Sequence, residues 1–320
     1  MTQVQQTTSS PALDPATRVG LLSLTVADLG RSVGFYTDAI GLSVLEQTER
    51  AATLGVAGAP LLLLAEHAEA RPWPHDQYGY TGLYHFAILL PTRADLGRWL
   101  RHWLEMSLPL PGQGDHLVSE ALYLSDPDGN GIEIYRDRPR DEWQWVGGQV
   151  RMAADPVDIR GMLAEAERSA QPWSGLPGGT RLGHIHLQVG DIRAAAAFYH
   201  EVLGFDIVAQ MPTALFVSAG GYHHHIGLNT WHSRGAGPAP LGTAGLRFFT
   251  VDLPSEDARR AVVGRITAAG LTATETPSAV VVRDPWHNMI LLQVGAASDN
   301  RTAVALIAAA TEATTGARDA

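Results

Sequence analysis

The chain has 320 residues, 45% of them hydrophobic, with a formal charge of −10 and no cysteine. That length and apolar content suffice for two globular domains or one large core and exclude disorder throughout. Negative charge without a Lys/Arg cluster argues against nucleic-acid and anionic-membrane partners. The missing cysteines leave His, Asp and Glu to hold any metal.

Residues 1–17, rich in Thr, Gln, Ser and Pro, read as a flexible tail lacking the basic start and apolar run of a secretory leader. No stretch reaches 18 consecutive apolar residues, so a cytoplasmic protein without a membrane partner is expected. Arg18–Asp28 alternates like a strand. Gly30–Ile40 follows with Val33, Tyr36 and Ile40 near one helical face, ended by Gly41. Two or three strands then run to about Glu66, which completes one β-α-β-β-β module. After a loop with His67, His75 and two prolines comes a second module: strand Gly82–Leu90, helix Arg93–Met106 and further strands. These end in a hairpin, Leu122–Tyr135, whose turn is rich in Asp, Pro, Gly and Asn. In its second strand Ile132 and Ile134 share one face, leaving Glu133 and Tyr135 on the other.

The sequence repeats itself. A shift of 163 lays Gly20–Asp28 over Gly183–Asp191, Phe35-Tyr36 over Phe198-Tyr199, Gly41 over Gly204 and Gly82–Phe86 over Gly245–Phe249. Near the end the shift becomes 158, so that Asp126-Pro127 meets Asp284-Pro285. The expected class is α+β, four tandem βαβββ modules whose open sheets pair into clefts. The first module pair spans 18–139 and the second 180–296. Between them, 140–179 is a connector with a short helix at Ile159–Ser169; 297–320 is an Ala-rich tail, helical or frayed over Thr302–Thr314.

Duplicated modules share a scaffold, so a polar residue facing an apolar counterpart points to function. His184 faces Leu21, His85 faces Phe248, Glu133 faces Leu291, Tyr123 faces Val281, and His223–His225 face Pro60–Leu62. All the polar members lie in modules two and three. Two imidazoles and one carboxylate are what a facial triad needs to hold Fe(II) and leave coordination positions open. His85, Glu133 and His184 would supply it, whereas a closed zinc site usually takes four ligands, often with Cys. Zinc in an open site stays open on spacing alone. Read as a strand, His223–His225 alternate faces and suggest an acid–base role. His186 reads as packing or support for a ligand. His67, His75, His102, His200, His232 and His287 have no such pattern, and Trp143, Trp145, Trp173 and Trp231 either line a pocket or pack.

The four modules, Gly183–Leu187 followed by Phe198-Tyr199 and Leu203–Phe205, the Gly221–Trp231 stretch and Ser125–Glu133 resemble the vicinal-oxygen-chelate superfamily. Within it they look most like the two-domain bacterial catechol 2,3-dioxygenases of the type I extradiol class, over roughly 18–295. The resemblance implies two glyoxalase/extradiol-dioxygenase-like domains and a non-haem Fe(II), with Mn(II) the lesser choice, on His85, Glu133 and His184. It implies His224 as the acid–base residue, Tyr123 as the substrate-binding phenol and His116 as a further active-site His. The implied substrates are a catechol or substituted catechol and dioxygen, giving a 2-hydroxymuconic-semialdehyde-type product, in a homo-oligomer. Alternatives on the same fold are a metal-dependent glyoxalase or isomerase, for which a second Glu ligand is wanting, and a non-catalytic aromatic- or antibiotic-binding protein. In familiar members the ligands lie in the C-terminal module pair, but here no tandem pair carries all three. Module two is therefore expected to pair in space with module three, and module one with module four.

Overall fold

A computed structural model describes residues 12–73, 79–109 and 111–315. His75 lies outside the described residues. Module one contains strands Arg18–Val26, Ser43–Gln47, Ala51–Val56 and Ala59–Glu66. Its helix Leu29–Gly34 continues into a π-helical turn, Phe35–Ile40. The Asp28 side chain accepts the Arg31 N–H at the helix start, and Gly41 at φ 95° ends the turn, as the sequence suggests. Module two has Tyr80–Leu89, helix Arg93–Glu105, Gly112–Asp115, Ser119–Ser125 and Gly131–Asp137. Module three has Arg181–Gln188, helix Ile192–Ala196 with the turn Ala197–Val202, Asp206–Met211, Ala214–Ser218 and Ile226–Asn229. Module four has Gly245–Leu253, helix Glu256–Ala268, Thr274–Glu275, Val280–Arg283 and Met289–Val294.

Tandem neighbours do not share a sheet. The first strands of modules two and three pair antiparallel at the centre of one sheet, with Ile185 opposite Phe86 and His186 opposite His85. The first strands of modules one and four do the same in the other, with Leu22 opposite Phe249. The period of two sends Leu22, Phe86, Ile88, Ile132, Ile134, Ile185 and Leu187 to the helix-covered faces, where they join one buried core spanning both sheets. The opposite, concave faces form two clefts.

The Asp-Pro turns dock the modules on one another. Asp126 accepts the N–H groups of Asp128 and Asn130, the Asn130 amide and the Tyr36 hydroxyl of module one at 2.9 Å. Asp284 repeats this with Trp286, Asn288 and the Tyr199 hydroxyl of module three. Each hairpin turn is thereby tied to the helix of its tandem neighbour.

Two expectations change. At the end of the segment read as a flexible tail, Leu13 and Thr17 are buried and the Leu13 N–H donates to Gly204 O at 2.8 Å, while Ala12, Asp14, Pro15 and Ala16 stay exposed. His223–His225 precede the strand that starts at Ile226, because Gly220 and Gly221 take φ 60° and 65° and turn the chain just before them. The Ala-rich segment forms helix Asn300–Thr315. Its Ala303, Leu306, Ala309 and Ala310 pack on Leu21, Phe248, Val281 and Leu291 and fill the cleft of modules one and four. Among the described residues no helix is long and apolar enough to cross a membrane.

Candidate metal centre

The other cleft is lined by polar groups. His184, Ala87 and Glu133 stand level across three adjacent strands, all on the concave face. Ala87 is the small member between them, which leaves space between the imidazole and the carboxylate. His85 comes from the same central strand, two residues earlier. The Nε2 atoms of His85 and His184 each lie 3.1 Å from the same oxygen, Glu133 Oε2, and one donor atom from each of the three falls within 4.8 Å of the others. All three side chains are buried, His184 to 1% exposure.

His184 Nε2 is hydrogen-bonded to Glu133, but His85 Nε2 is sealed from solvent without a hydrogen-bond partner, as is His184 Nδ1. A buried imidazole nitrogen close to a carboxylate but without an aligned hydrogen bond is costly unless something else satisfies it. A cation among these donors would do so, and two imidazoles with one carboxylate fit a divalent transition metal better than Mg²⁺ or Ca²⁺. Burial opposes ionisation of Glu133, yet His184 and His85 beside it hold its carboxyl well below the usual range. Burial lowers His85, the Glu133 carboxylate opposing, so a neutral ligand imidazole is favoured there.

The remaining predicted residues surround this triad. Tyr123 is directly opposite Glu133 in the hairpin register. Its hydroxyl lies 2.6 Å from His116 Nε2, and His116 Nδ1 lies 2.7 Å from Ala153 O. Since the carbonyl only accepts, Nδ1 carries the His116 proton and Nε2 accepts from Tyr123. Burial, then the Glu133 charge, raise the Tyr123 phenol well above its ordinary value and keep it protonated. The His224 ring packs on His184 with centroids 4.1 Å apart; burial and the neighbouring His184 push it well below the usual imidazole range. His85, Glu133, Tyr123, His116 and His224 line one cavity of about 790 Å³. His184 lies against Glu133 and His224.

Several lining residues escape a reading by alternation. The central strand has a bulge at Tyr84, where His85 pairs with His186 but Leu83 pairs with Leu187. Tyr84 and His85 therefore both line the cavity. Tyr84 faces the polar Arg247 in the repeat, so the comparison of halves gives no contrast there either. His186 also lines the cavity, with its Nε2 accepting from the Asn229 amide at 3.0 Å. Trp73, Trp231 and His232 add to the wall. Trp143 instead packs on Tyr222 and His223, Trp173 stacks on His102, and Trp145 is exposed on a short hairpin. His225 is a packing residue: its Nδ1 accepts the Ala219 N–H, and burial lowers it to about 3. His67 is exposed, His200 is bonded to Phe205 O, and His287 sits in a turn at φ 68°.

The family model described as Glyoxalase/Bleomycin resistance protein/Dioxygenase superfamily matches residues 18–134 and 181–292. The Catechol-2,3-dioxygenase of Bacillus subtilis (strain 168) is 49% identical over 273 residues, 84% of this chain and 94% of that protein. Among solved structures, a protein of Bacillus subtilis subsp. subtilis str. 168 superposes with a TM-score of 0.61 at 14% identity, covering 89% of this chain and 86% of its own. Glyoxalase I from Zea mays gives 0.52 at 16% identity, over 90% and 94%. At those identities the structural likeness is one of fold. Two family-model matches falling on the two module-bearing regions, and near-half identity along most of the chain, place this protein in the Glyoxalase/Bleomycin resistance protein/Dioxygenase superfamily.

Proposed function

We propose that the protein cleaves the ring of catechol, or of a substituted catechol, beside its diol with dioxygen, at Fe(II) held by His85, Glu133 and His184. The product would be of the 2-hydroxymuconic-semialdehyde type. The observation that carries this reading is the convergence of three buried donors on one point, with His85 Nε2 sealed and unsatisfied. Identity to the Bacillus subtilis Catechol-2,3-dioxygenase supports the substrate class. Fe(II) held by these three residues would supply Lewis acidity and one-electron redox chemistry toward dioxygen.

The chain's own residues do the rest. His224, kept neutral by burial, accepts a proton from a diol hydroxyl and returns it as the ring opens. The protonated Tyr123 hydroxyl donates its hydrogen bond to His116 Nε2, so its oxygen lone pairs are left to accept a hydrogen bond from the substrate's hydroxyl. The aromatic wall of Tyr84, Trp73 and Trp231 packs the ring and excludes water.

Anaerobic reconstitution with Fe(II), followed by catechol and dioxygen, tests this. One dioxygen should be consumed per catechol, with a yellow product that Glu133→Ala does not form. Bound iron without oxygen uptake on catechol or its alkyl derivatives would overturn the reading.

A further inference from the structure

His224 sits at one end of a chain of hydrogen bonds that leaves the cavity. Its Nδ1 lies 2.9 Å from His223 Nδ1, and His223 Nε2 lies 2.8 Å from Asp137 Oδ1. Asp137 also accepts from the Tyr222 hydroxyl, at 2.9 Å to Oδ2, and Tyr222 is 2.7 Å from the Tyr135 hydroxyl. His223 is fully buried between Trp143 and Tyr222. Asp137 ends the strand that carries Glu133 and Tyr135, whereas His223 and His224 belong to module three. The chain thus crosses between the two modules that build the metal centre.

The direction of every proton in it follows from one end. A carboxylate only accepts, so His223 carries a proton on Nε2, and in the neutral ring its Nδ1 is then a lone pair. That lone pair accepts from His224, which therefore carries its proton on Nδ1. His224 Nε2 is then the bare nitrogen, on a ring that lines the cavity. On the other side Tyr222 gives its only proton to Asp137, so Tyr135 donates to Tyr222. Gly183 makes room for this: a Cβ there would overlap the Tyr135 hydroxyl. In the second sheet the counterparts of Asp137, His223, Tyr222 and Tyr135 are Gly295, Pro60, Ala59 and Gln293, so the chain is absent where the metal donors are absent.

We propose that Asp137, acting through His223, is a positioning residue that fixes the tautomer of His224 so that Nε2 is the proton-accepting nitrogen toward substrate. This rests on His224 being the acid–base group of the reaction proposed above. When His224 Nε2 takes the diol proton, the ring becomes a cation that keeps its Nδ1–H on His223, and Asp137 opposes the new charge one imidazole away. No proton leaves the chain, and the one gained at Nε2 returns to the opened ring.

Asp137→Asn keeps the shape but can donate its amide to His223 Nε2. That moves the His223 proton to Nδ1 and forces the His224 proton to Nε2. The test reads His224 by ¹⁵N NMR in protein loaded with diamagnetic Zn(II), with His224→Gln to assign the signal. In parallel it measures kcat, KM and bound metal of the Fe(II) form. The expected result is an Nδ1-protonated His224 in the native chain and loss of that pattern in Asp137→Asn. With it, kcat should fall tenfold or more while KM and metal content change less than twofold, and Asp137→Glu should recover part of kcat. An unchanged His224 signal, or a kcat loss that merely parallels loss of metal and of melting temperature, would overturn the proposal and leave the chain as a latch between modules. Failure of all catechols to consume oxygen would overturn the dioxygenase reading, while the ¹⁵N pattern would still decide the tautomer.

Discussion

Two buried carboxylates in this protein are driven in opposite directions by what surrounds them. Glu133 is flanked by His85 and His184 and stays ionised despite burial. Asp252, 8% exposed on the central strand of module four, has hydroxyl and amide partners in Thr250 and Gln293, and burial raises its carboxyl to about 6. The folded protein therefore holds the Asp252 proton more tightly than the unfolded chain does. Its contribution to stability is complete below the unfolded value near 3.8 and is lost as pH rises through about 6. A raise of that size corresponds to a loss of about 3 kcal/mol across the window. Urea unfolding of metal-free protein from pH 4 to 7 should show the native chain losing stability relative to Asp252→Asn as pH increases. Parallel curves for the two would show that Asp252 ionises in the fold as it does in water.

At the scale of elements, the helix Asn300–Thr315 turns one of two equivalent clefts into core. Leu21, Phe248, Val281 and Leu291 stand where the other sheet has His184, His85, Tyr123 and Glu133, and the helix covers them with Ala303, Leu306, Ala309 and Ala310. Leu306 is fully buried in that contact. Leu306→Ala should cost about 2–5 kcal/mol, the usual range for truncating a core leucine, seen as a lower urea midpoint with an unchanged slope. Oxygen uptake per folded molecule should stay as it was, because the helix packs on the sheet that lacks the donors. A variant of native stability with lost uptake would instead tie the helix to the working cleft. Elements with a regular period were legible: the hairpin around Tyr123 and Glu133, the strand with His184 and His186, and the helix Arg93–Glu105 all follow alternation or helical spacing. What broke the period was not. The bulge puts Tyr84 beside His85 in the cavity wall, and two glycines with positive φ keep His223–His225 out of a strand. Asp137 and His223 were missed as partners because they meet across modules 86 residues apart, which no local pattern encodes.

At the scale of the whole molecule, His85, Glu133 and His184 converge only because the chain pairs its modules out of tandem order. His85, Glu133 and His184, the proposed donors, stand out in the sequence because the second copy is apolar at the same positions, and their division between halves required modules two and three to meet, as they do. Residues 1–178 carry His85, Glu133, Tyr123, His116 and Asp137; residues 179–320 carry His184, His223 and His224. Each half also supplies only one module to each sheet, so a half alone leaves the edges of two central strands unpaired along their length. A cut at Gly178–Gly179, in the turn before Arg181–Gln188, preserves every named module. Expressed separately and given Fe(II) and catechol, neither fragment should consume oxygen at the rate of the intact chain. Co-refolding the two should restore uptake and yield a one-to-one complex by gel filtration, since the antiparallel pair at each sheet centre and the shared core lie between them. Full uptake by either fragment alone would mean that one tandem pair builds a working centre by itself. An inert one-to-one complex that nevertheless binds iron would mean that meeting of the modules is insufficient and that an unbroken connector positions the donors.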